Sequence, residues 1–193
     1  MPGDPPDTHP ADVRDRAARV RLACFDVDGT LTDGRLMFDT DGRETKAFHV
    51  HDGLGLVLLR KAGIEVAFIT ARVSTIAERR AAELGLTEVH TGVADKLARV
   101  GEIATRLGIA MDEVSFMGDD LPDLRIMSQV GCSAAPASAH PWVRERVHWI
   151  SAARAGEGAA REFCDFLLAA QGRVEALLDD VCRPDGARVE GTA

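Results

Sequence analysis

The sequence predicts an α/β fold: a single doubly wound, Rossmann-like parallel sheet with helices on both faces, a projecting β-hairpin and no cap domain. Three observations carry this. Short β-branched and aromatic runs alternate with helix-length amphipathic stretches, the pattern of a parallel sheet covered on both sides. Two of those runs end in acidic, glycine-bearing turns, Cys24-Phe25-Asp26-Val27-Asp28-Gly29-Thr30 and Phe116-Met117-Gly118-Asp119-Asp120. Finally, 193 residues with 46% hydrophobic content suffice for one domain with a real core, and neither an internal repeat nor a low-complexity linker divides them.

Residues 1–12 are rich in Pro and Asp and read as a disordered tail, residues 13–181 as the domain, and residues 182–193 as a second loose tail. The first strand, 20–27, runs straight into the acidic loop. Asp41-Gly42 between two β-prone runs marks a hairpin within residues 35–50, from Arg35 to Val50. A helix over 51–61 follows, with Asp52 as its N-cap and Gly63 as its stop. Residues 65–70 form a buried strand, and 74–84 a helix in which Thr75 and Glu78 make a capping box. A short strand at 88–90 precedes a helix over 94–107, whose Leu97, Val100, Ile103, Ala104 and Leu107 recur at helical spacing. Strand 113–117 leads through the second acidic turn into a helix over 123–129, with Pro122 tolerated in its first turn. Short strands at 131–134 and 148–150 enclose a helix at 139–146. Helices at 157–171 and 173–181 close the domain, with Trp142 and Trp149 expected in the core.

A net charge of −8 argues against nucleic acid or an anionic membrane as a partner. Cys24, Cys132, Cys164 and Cys182 form no C-x-x-C pair and read as reduced thiols of a cytoplasmic protein. The first residues lack the basic start and apolar run of a signal peptide, and no segment has the apolar length to span a bilayer.

Alternation along a strand sends Asp26 and Asp28 the same way, at the carboxyl edge where open α/β sheets bind ligands. Two close carboxylates repel unless they share a proton or a cation, so the pair asks for a metal. An acidic turn by itself accounts for Asp28-Gly29 but not for an aspartate inside the apolar run. Thr70 ends the second strand, Lys96 lies in the first turn of its helix, and Asp119 and Asp120 sit at the rim of a third strand. Each alone reads as a cap or a solvated charge; the ordered set is far more specific.

That order resembles the haloacid dehalogenase superfamily of phosphotransferases, whose four motifs are matched by Asp26-Val27-Asp28-Gly29-Thr30, Thr70, Lys96 and Gly118-Asp119-Asp120. The closer resemblance is to its capless sugar-acid phosphatase branch, typified by 3-deoxy-D-manno-octulosonate 8-phosphate phosphatase. It rests also on Leu31-Thr32-Asp33-Gly34, Lys46-Ala47-Phe48, Asp52-Gly53-Leu54-Gly55, Leu121-Pro122-Asp123 and Ala139-His140-Pro141, and runs from about residue 21 to 172.

The resemblance implies a Mg²⁺ ion held by Asp26, Asp119 and the Asp28 backbone carbonyl. It implies Asp26 as nucleophile, Asp28 as general acid and base, and Thr70 and Lys96 as ligands of the phosphoryl oxygens. Asp120 and Asp123 would orient Lys96 and metal-bound water, and Asp52 and Gly53 would add substrate contacts. Arg72 is placed to grip a substrate carboxylate by a bidentate pair. His49 and His51 read as hairpin and loop residues, with His51 near substrate.

Where the branch carries glycine this chain has Ala71. Where octulosonate-specific relatives carry arginine it has Glu157, which weakens that substrate choice. A nine-carbon, sialic-acid type 9-phosphate is the alternative, although relatives with that preference replace Arg72 by Glu. A phosphomutase is disfavoured because no cap would keep a bisphosphate from water. A non-hydrolytic subunit of a carboxylase or sugar-activating assembly is the remaining alternative. The branch closes its open site by forming homotetramers through the hairpin. The exposed Leu36, Phe38 and Phe48 of the ribbon favour burial independently.

Overall fold

The structure, a computed structural model, describes residues 11–182. Both expected tails lie outside these residues apart from Ala11 and Asp12, which open a helix, and Cys182, which ends one.

In chain order the helices are α1 (Ala11–Ala18), α2 (Val50–Lys61), α3 (Thr75–Glu83), α4 (Lys96–Leu107), α5 (Leu124–Met127), α6 (Pro141–Arg144), α7 (Ala159–Ala170) and α8 (Val174–Cys182). The strands are β1 (Leu22–Phe25), β2 (Met37–Phe38), β3 (Glu44–Thr45), β4 (Glu65–Ile69), β5 (Glu88–His90), β6 (Val114–Met117), β7 (Cys132–Ala135) and β8 (Trp149–Ile150). Six of them form one parallel sheet in the order β5-β4-β1-β6-β7-β8, and β2 and β3 pair apart as the antiparallel hairpin.

The strand pleat splits the core into two layers. Ala23, Phe25, Val66, Phe68, Cys132 and Ala134 face one way, against Val13 and Ala17 of α1, Leu56 and Leu59 of α2, Ala77 and Ala81 of α3, and Phe163 and Leu167 of α7. Leu22, Cys24, Ala67, Ile69 and Phe116 face the other way, against Val100 and Ile103 of α4, Ile126 of α5 and Val143 of α6. Each such fully buried Leu or Phe contributes about 1.5–3 kcal/mol, so both layers are needed to hold the sheet. The chain leaves β1 for β4 on one side and returns through α4 to β6 on the other. The sheet order therefore reverses at β1, and the carboxyl ends of β1, β4 and β6 meet at this switch point, the place where such sheets bind ligands.

Several local expectations are corrected. Helix α1 has no counterpart among the expected elements; its two buried residues, Val13 and Ala17, give only a faint i, i+4 signal. The residue before α2 is His49, and Asp52 lies buried inside the first turn. Its carboxylate accepts the Arg161 N–H at 2.8 Å, tying α2 to the start of α7. Ser74 rather than Thr75 caps α3, accepting from Ala77 N–H, and Glu78 instead takes the Thr91 hydroxyl at 2.8 Å. The helix expected over 123–129 is a 3₁₀ turn at Leu121–Asp123 followed by the short α5. Trp149 is buried between Phe163 and Phe166, but Trp142 is 57% exposed. Phe48 packs partly on the core beneath the Arg80 guanidinium and does not project with Leu36 and Phe38.

Candidate active site

The acid pair of the first motif does not act as a pair. β1 ends at Phe25, and the Asp26 N–H extends its ladder to the Met117 carbonyl at 2.9 Å. Beyond that point the two carboxylates take different partners. Asp26 is buried, and its Oδ1 accepts from Lys96 Nζ at 2.7 Å. Asp28 turns to the hairpin, where Lys46 Nζ donates to its Oδ1, and its Oδ2 lies 3.7 Å from Arg72 Nε.

Around Asp26 the site is rich in acid. Lys96, at the head of α4, also donates to Asp123 Oδ1 at 2.6 Å. Asp123 Oδ2 in turn accepts the N–H groups of Asp119 (3.1 Å) and Asp120 (3.4 Å), which shapes the turn after β6. Asp119 is anchored by the Thr30 hydroxyl at 3.2 Å. Gly29, at φ +89°, carries the first loop so close over Asp119 that a side chain there would collide with its carboxylate. Burial pushes Asp119 up to about 7, with repulsion from Asp26 and Asp123 adding to it. Burial and then Asp123 likewise raise Asp26 to about 6 against the pull of Lys96. Burial also acts to lower Lys96, but Asp26 and Asp123 outweigh it and keep the ammonium charged.

One carboxylate oxygen from each of Asp26, Asp119 and Asp123 lies within 4.8 Å of the others. Three carboxylates facing one ammonium leave an excess of hard, anionic oxygen. That donor set fits a small divalent cation such as Mg²⁺. It is repulsion from Asp119 and Asp123, not from Asp28, that asks for the metal.

The remaining expected residues have partners of their own. Thr70 follows β4 directly and is buried; its N–H donates to the His90 carbonyl and its hydroxyl accepts from Arg72 N–H at 3.3 Å. Arg72 is already engaged, donating to Glu44 Oε1 at 2.8 Å. Asp120 caps the 3₁₀ turn through Leu121 N–H, so of the two acids expected to orient Lys96 it is Asp123 that does so. Asp52 and Gly53 are not drawn into the acid cluster. Asp52 holds α7, and Gly53 makes room for the Arg80 guanidinium. His51 stands in the first turn of α2 beside the ring of His49, and Glu157 lies just before α7.

Two residues of this site had no role assigned in the sequence, although Lys46 lies in the Lys46-Ala47-Phe48 motif. Glu44 and Lys46 reach the site from the hairpin, and the Lys46 side chain is 1% exposed. The available signal was their i, i+2 spacing, which puts an acid and a base on one face of an extended strand.

A buried carboxylate, a lysine and a cation-ready acid cluster thus meet at the switch point of a parallel sheet, an arrangement suited to holding a phosphate group beside a divalent cation. A family model described as haloacid dehalogenase-like hydrolase matches residues 69–163. A 3-deoxy-D-manno-octulosonate 8-phosphate phosphatase of Yersinia pestis is 42% identical over 164 residues, covering 85% of this chain and 88% of the relative. Among solved structures, a hypothetical protein from Xanthomonas campestris aligns with a TM-score of 0.91 at 56% identity, covering 95% of this chain and 100% of that one. A Moraxella catarrhalis 3-deoxy-D-manno-octulosonate 8-phosphate phosphatase, in complex with magnesium ion, phosphate ion and KDO, aligns with a TM-score of 0.87 at 36% identity, covering 90% and 99%. The chain therefore belongs to the haloacid dehalogenase-like hydrolases, among the capless phosphatases of the octulosonate type.

Proposed function

We propose that this chain is a magnesium-dependent phosphatase that releases phosphate from 3-deoxy-D-manno-octulosonate 8-phosphate, a step of lipopolysaccharide synthesis. The observation that carries the reading is the Asp26 carboxylate, aimed by Lys96 at 2.7 Å beside Asp119 at the sheet's switch point.

Asp26 attacks phosphorus in line as the bond to the sugar oxygen breaks, giving an aspartyl phosphate. Asp28 donates the proton that the leaving alkoxide needs, then takes one from the water that hydrolyses the intermediate. Lys96 and the Thr70 hydroxyl bind the equatorial oxygens, where charge must be stabilised during transfer. Asp26, Asp119 and the Asp28 carbonyl would hold magnesium, with Asp123 beside them. When bound, the ion supplies the positive charge that lets a carboxylate approach a phosphate dianion. Arg72 receives the substrate carboxylate, in competition with Glu44.

Residues 13–181 form one catalytic domain in this reading. Leu36, Met37 and Phe38 are 49%, 43% and 59% exposed on the hairpin, an apolar stripe that supports assembly into a homotetramer. Cys24, Cys132 and Cys164 are buried free thiols, in keeping with a cytoplasmic enzyme, and no helix among the described residues is long and apolar enough to cross a membrane. The test is phosphate release with Mg²⁺ from the octulosonate 8-phosphate, a nine-carbon 9-phosphate and unrelated sugar phosphates, alongside Asp26→Asn. Preference for the eight-carbon ester, abolished in the variant, is expected; turnover that survives in Asp26→Asn overturns the mechanism.

A further inference from the structure

Lys46 is a deeply buried cation at the site that the reaction scheme leaves unused. Its side chain is 1% exposed, and its ammonium meets two carboxylates, Asp28 Oδ1 and Glu44 Oε1, the latter at 3.2 Å. Arg72 faces the same two acids from the end of β4, at 2.8 Å to Glu44 Oε1 and 3.7 Å to Asp28 Oδ2. The four side chains thus form a closed ring of alternating charge with no net excess. Burying an ammonium is unfavourable unless its partners compensate. A lysine placed this way is therefore committed to those partners and not to bulk solvent.

The ring treats the two oxygens of Asp28 differently. Oδ1 is taken by Lys46, whereas Oδ2 is buried and accepts no hydrogen bond, Arg72 Nε being too distant to donate one. A carboxylate with one oxygen pinned cannot rotate freely, and a single oxygen remains for a reacting partner.

Resting on the phosphatase reading above, we propose that Lys46 is a positioning residue for the leaving-group step: it fixes Asp28 through Oδ1 so that Oδ2 meets the sugar oxygen. In that step Asp28 has first taken a proton from solvent onto Oδ2. The P–O bond to the sugar breaks, the electron pair stays on the sugar oxygen, that proton passes to it from Oδ2, and Asp28 returns to the carboxylate that Lys46 and Arg72 face. Because Lys46 follows β3, the same contact couples the exposed hairpin to the reacting atoms.

The experiment compares two esters at fixed Mg²⁺. An alkyl ester, the octulosonate 8-phosphate, needs a proton on its departing oxygen; 4-nitrophenyl phosphate does not, since nitrophenolate is stable as an anion. For both, kcat/KM reports on formation of the aspartyl phosphate, the first irreversible step. Lys46→Met is expected to lower kcat/KM for the alkyl ester by about 10²-fold, within the range of general acid catalysis, and for the aryl ester by less than about threefold. In an Asp28→Asn background, Lys46→Met should cause no further loss. An equal fall on both esters, no fall on either, or a further alkyl-ester loss beyond that of Asp28→Asn overturns the proposal. Should Lys46→Met show no melting transition, Lys46→Gln, which keeps a donor but no charge, takes its place, and the same results support or overturn the proposal. Failure of the parent reading looks different: the unaltered protein then releases phosphate from neither ester.

Discussion

Asp26 and Asp28 stand two residues apart and solve the problem of a buried negative charge in opposite ways. Around Asp26, three carboxylates cluster where the one ammonium, Lys96, pairs with only Asp26 and Asp123, and both Asp26 and Asp119 are pushed up towards neutral pH by burial and by repulsion from neighbouring carboxylates. Around Asp28, two acids and two bases alternate in a ring and balance each other. The first region is built with a deficit that a cation from solution must fill; the second is complete within the chain. A nucleophile must be brought beside a dianion and so benefits from an exchangeable cation. A proton donor must keep one aim through both half-reactions and benefits from fixed partners.

Lys96→Met should undo this contrast most severely. It removes the resident cation from the acid-rich region, and phosphate release should fall on the order of 10³-fold. The metal-free protein should lose about 3 kcal/mol, because Asp26 and Asp123 are left buried without a counter-charge. Steady-state kinetics and denaturant unfolding in chelator check both numbers.

Proton competition gives the next effect. Asp26 and Asp119, at about 6 and about 7, must be ionised to bind magnesium. Calorimetric affinity for Mg²⁺ should therefore weaken about tenfold or more as pH falls from about 7.5 to about 5.5. The stability of the metal-free protein runs the other way. Both groups have folded-state values above their ordinary 3.8, so their contribution is complete below about pH 4 and is lost as pH rises through about 6 to 7. A melting temperature in chelator that rises over that window would contradict the assignment.

Smaller effects probe the balanced region. Glu44→Gln releases Arg72, which is 41% exposed, from its resident carboxylate. KM for the octulosonate ester should fall about threefold, in keeping with a partly solvated ion pair. Smallest is the effect on folding of the double substitution Leu36→Ser and Phe38→Ser. Their side chains are exposed in the single chain, so the unfolding free energy of that chain should change by no more than about 0.5 kcal/mol, and under the proposed hairpin assembly the particle mass in light scattering should fall below that of the unaltered protein.

Much of the sheet is legible in the sequence because its strands are short, apolar and separated by helices of clear period; the strand at 88–90 and the hairpin turn at Asp41-Gly42 appear where they are expected. Helix α1 escapes such a reading because only two of its residues are buried, and a stripe that thin is hard to tell from chance. Residue type alone would put Trp142 in the core, yet it stands exposed where α6 begins a surface turn. Within the site, Asp26, Lys96, Asp119 and Asp123 can be read from motifs that each sit at the end of an element. Glu44 cannot, and Lys46 stands in the Lys46-Ala47-Phe48 motif without a role attached, since a two-residue strand at the surface carries no burial pattern to show where either side chain goes.

Which residues lie at the carboxyl edge of the sheet follows from the order of amino acids, because strand alternation and turn chemistry are local and period-bound. How the charges there pair does not. Pairing depends on distances of a few ångströms between segments far apart in the chain: Lys96 and Asp26 are separated by 70 positions and Lys46 and Asp28 by 18. That the two acids of one motif part company, one toward an acid cluster and the other into a neutral ring, emerges only once the chain is folded. Coulomb energy follows separation in space and the local dielectric rather than order along the chain.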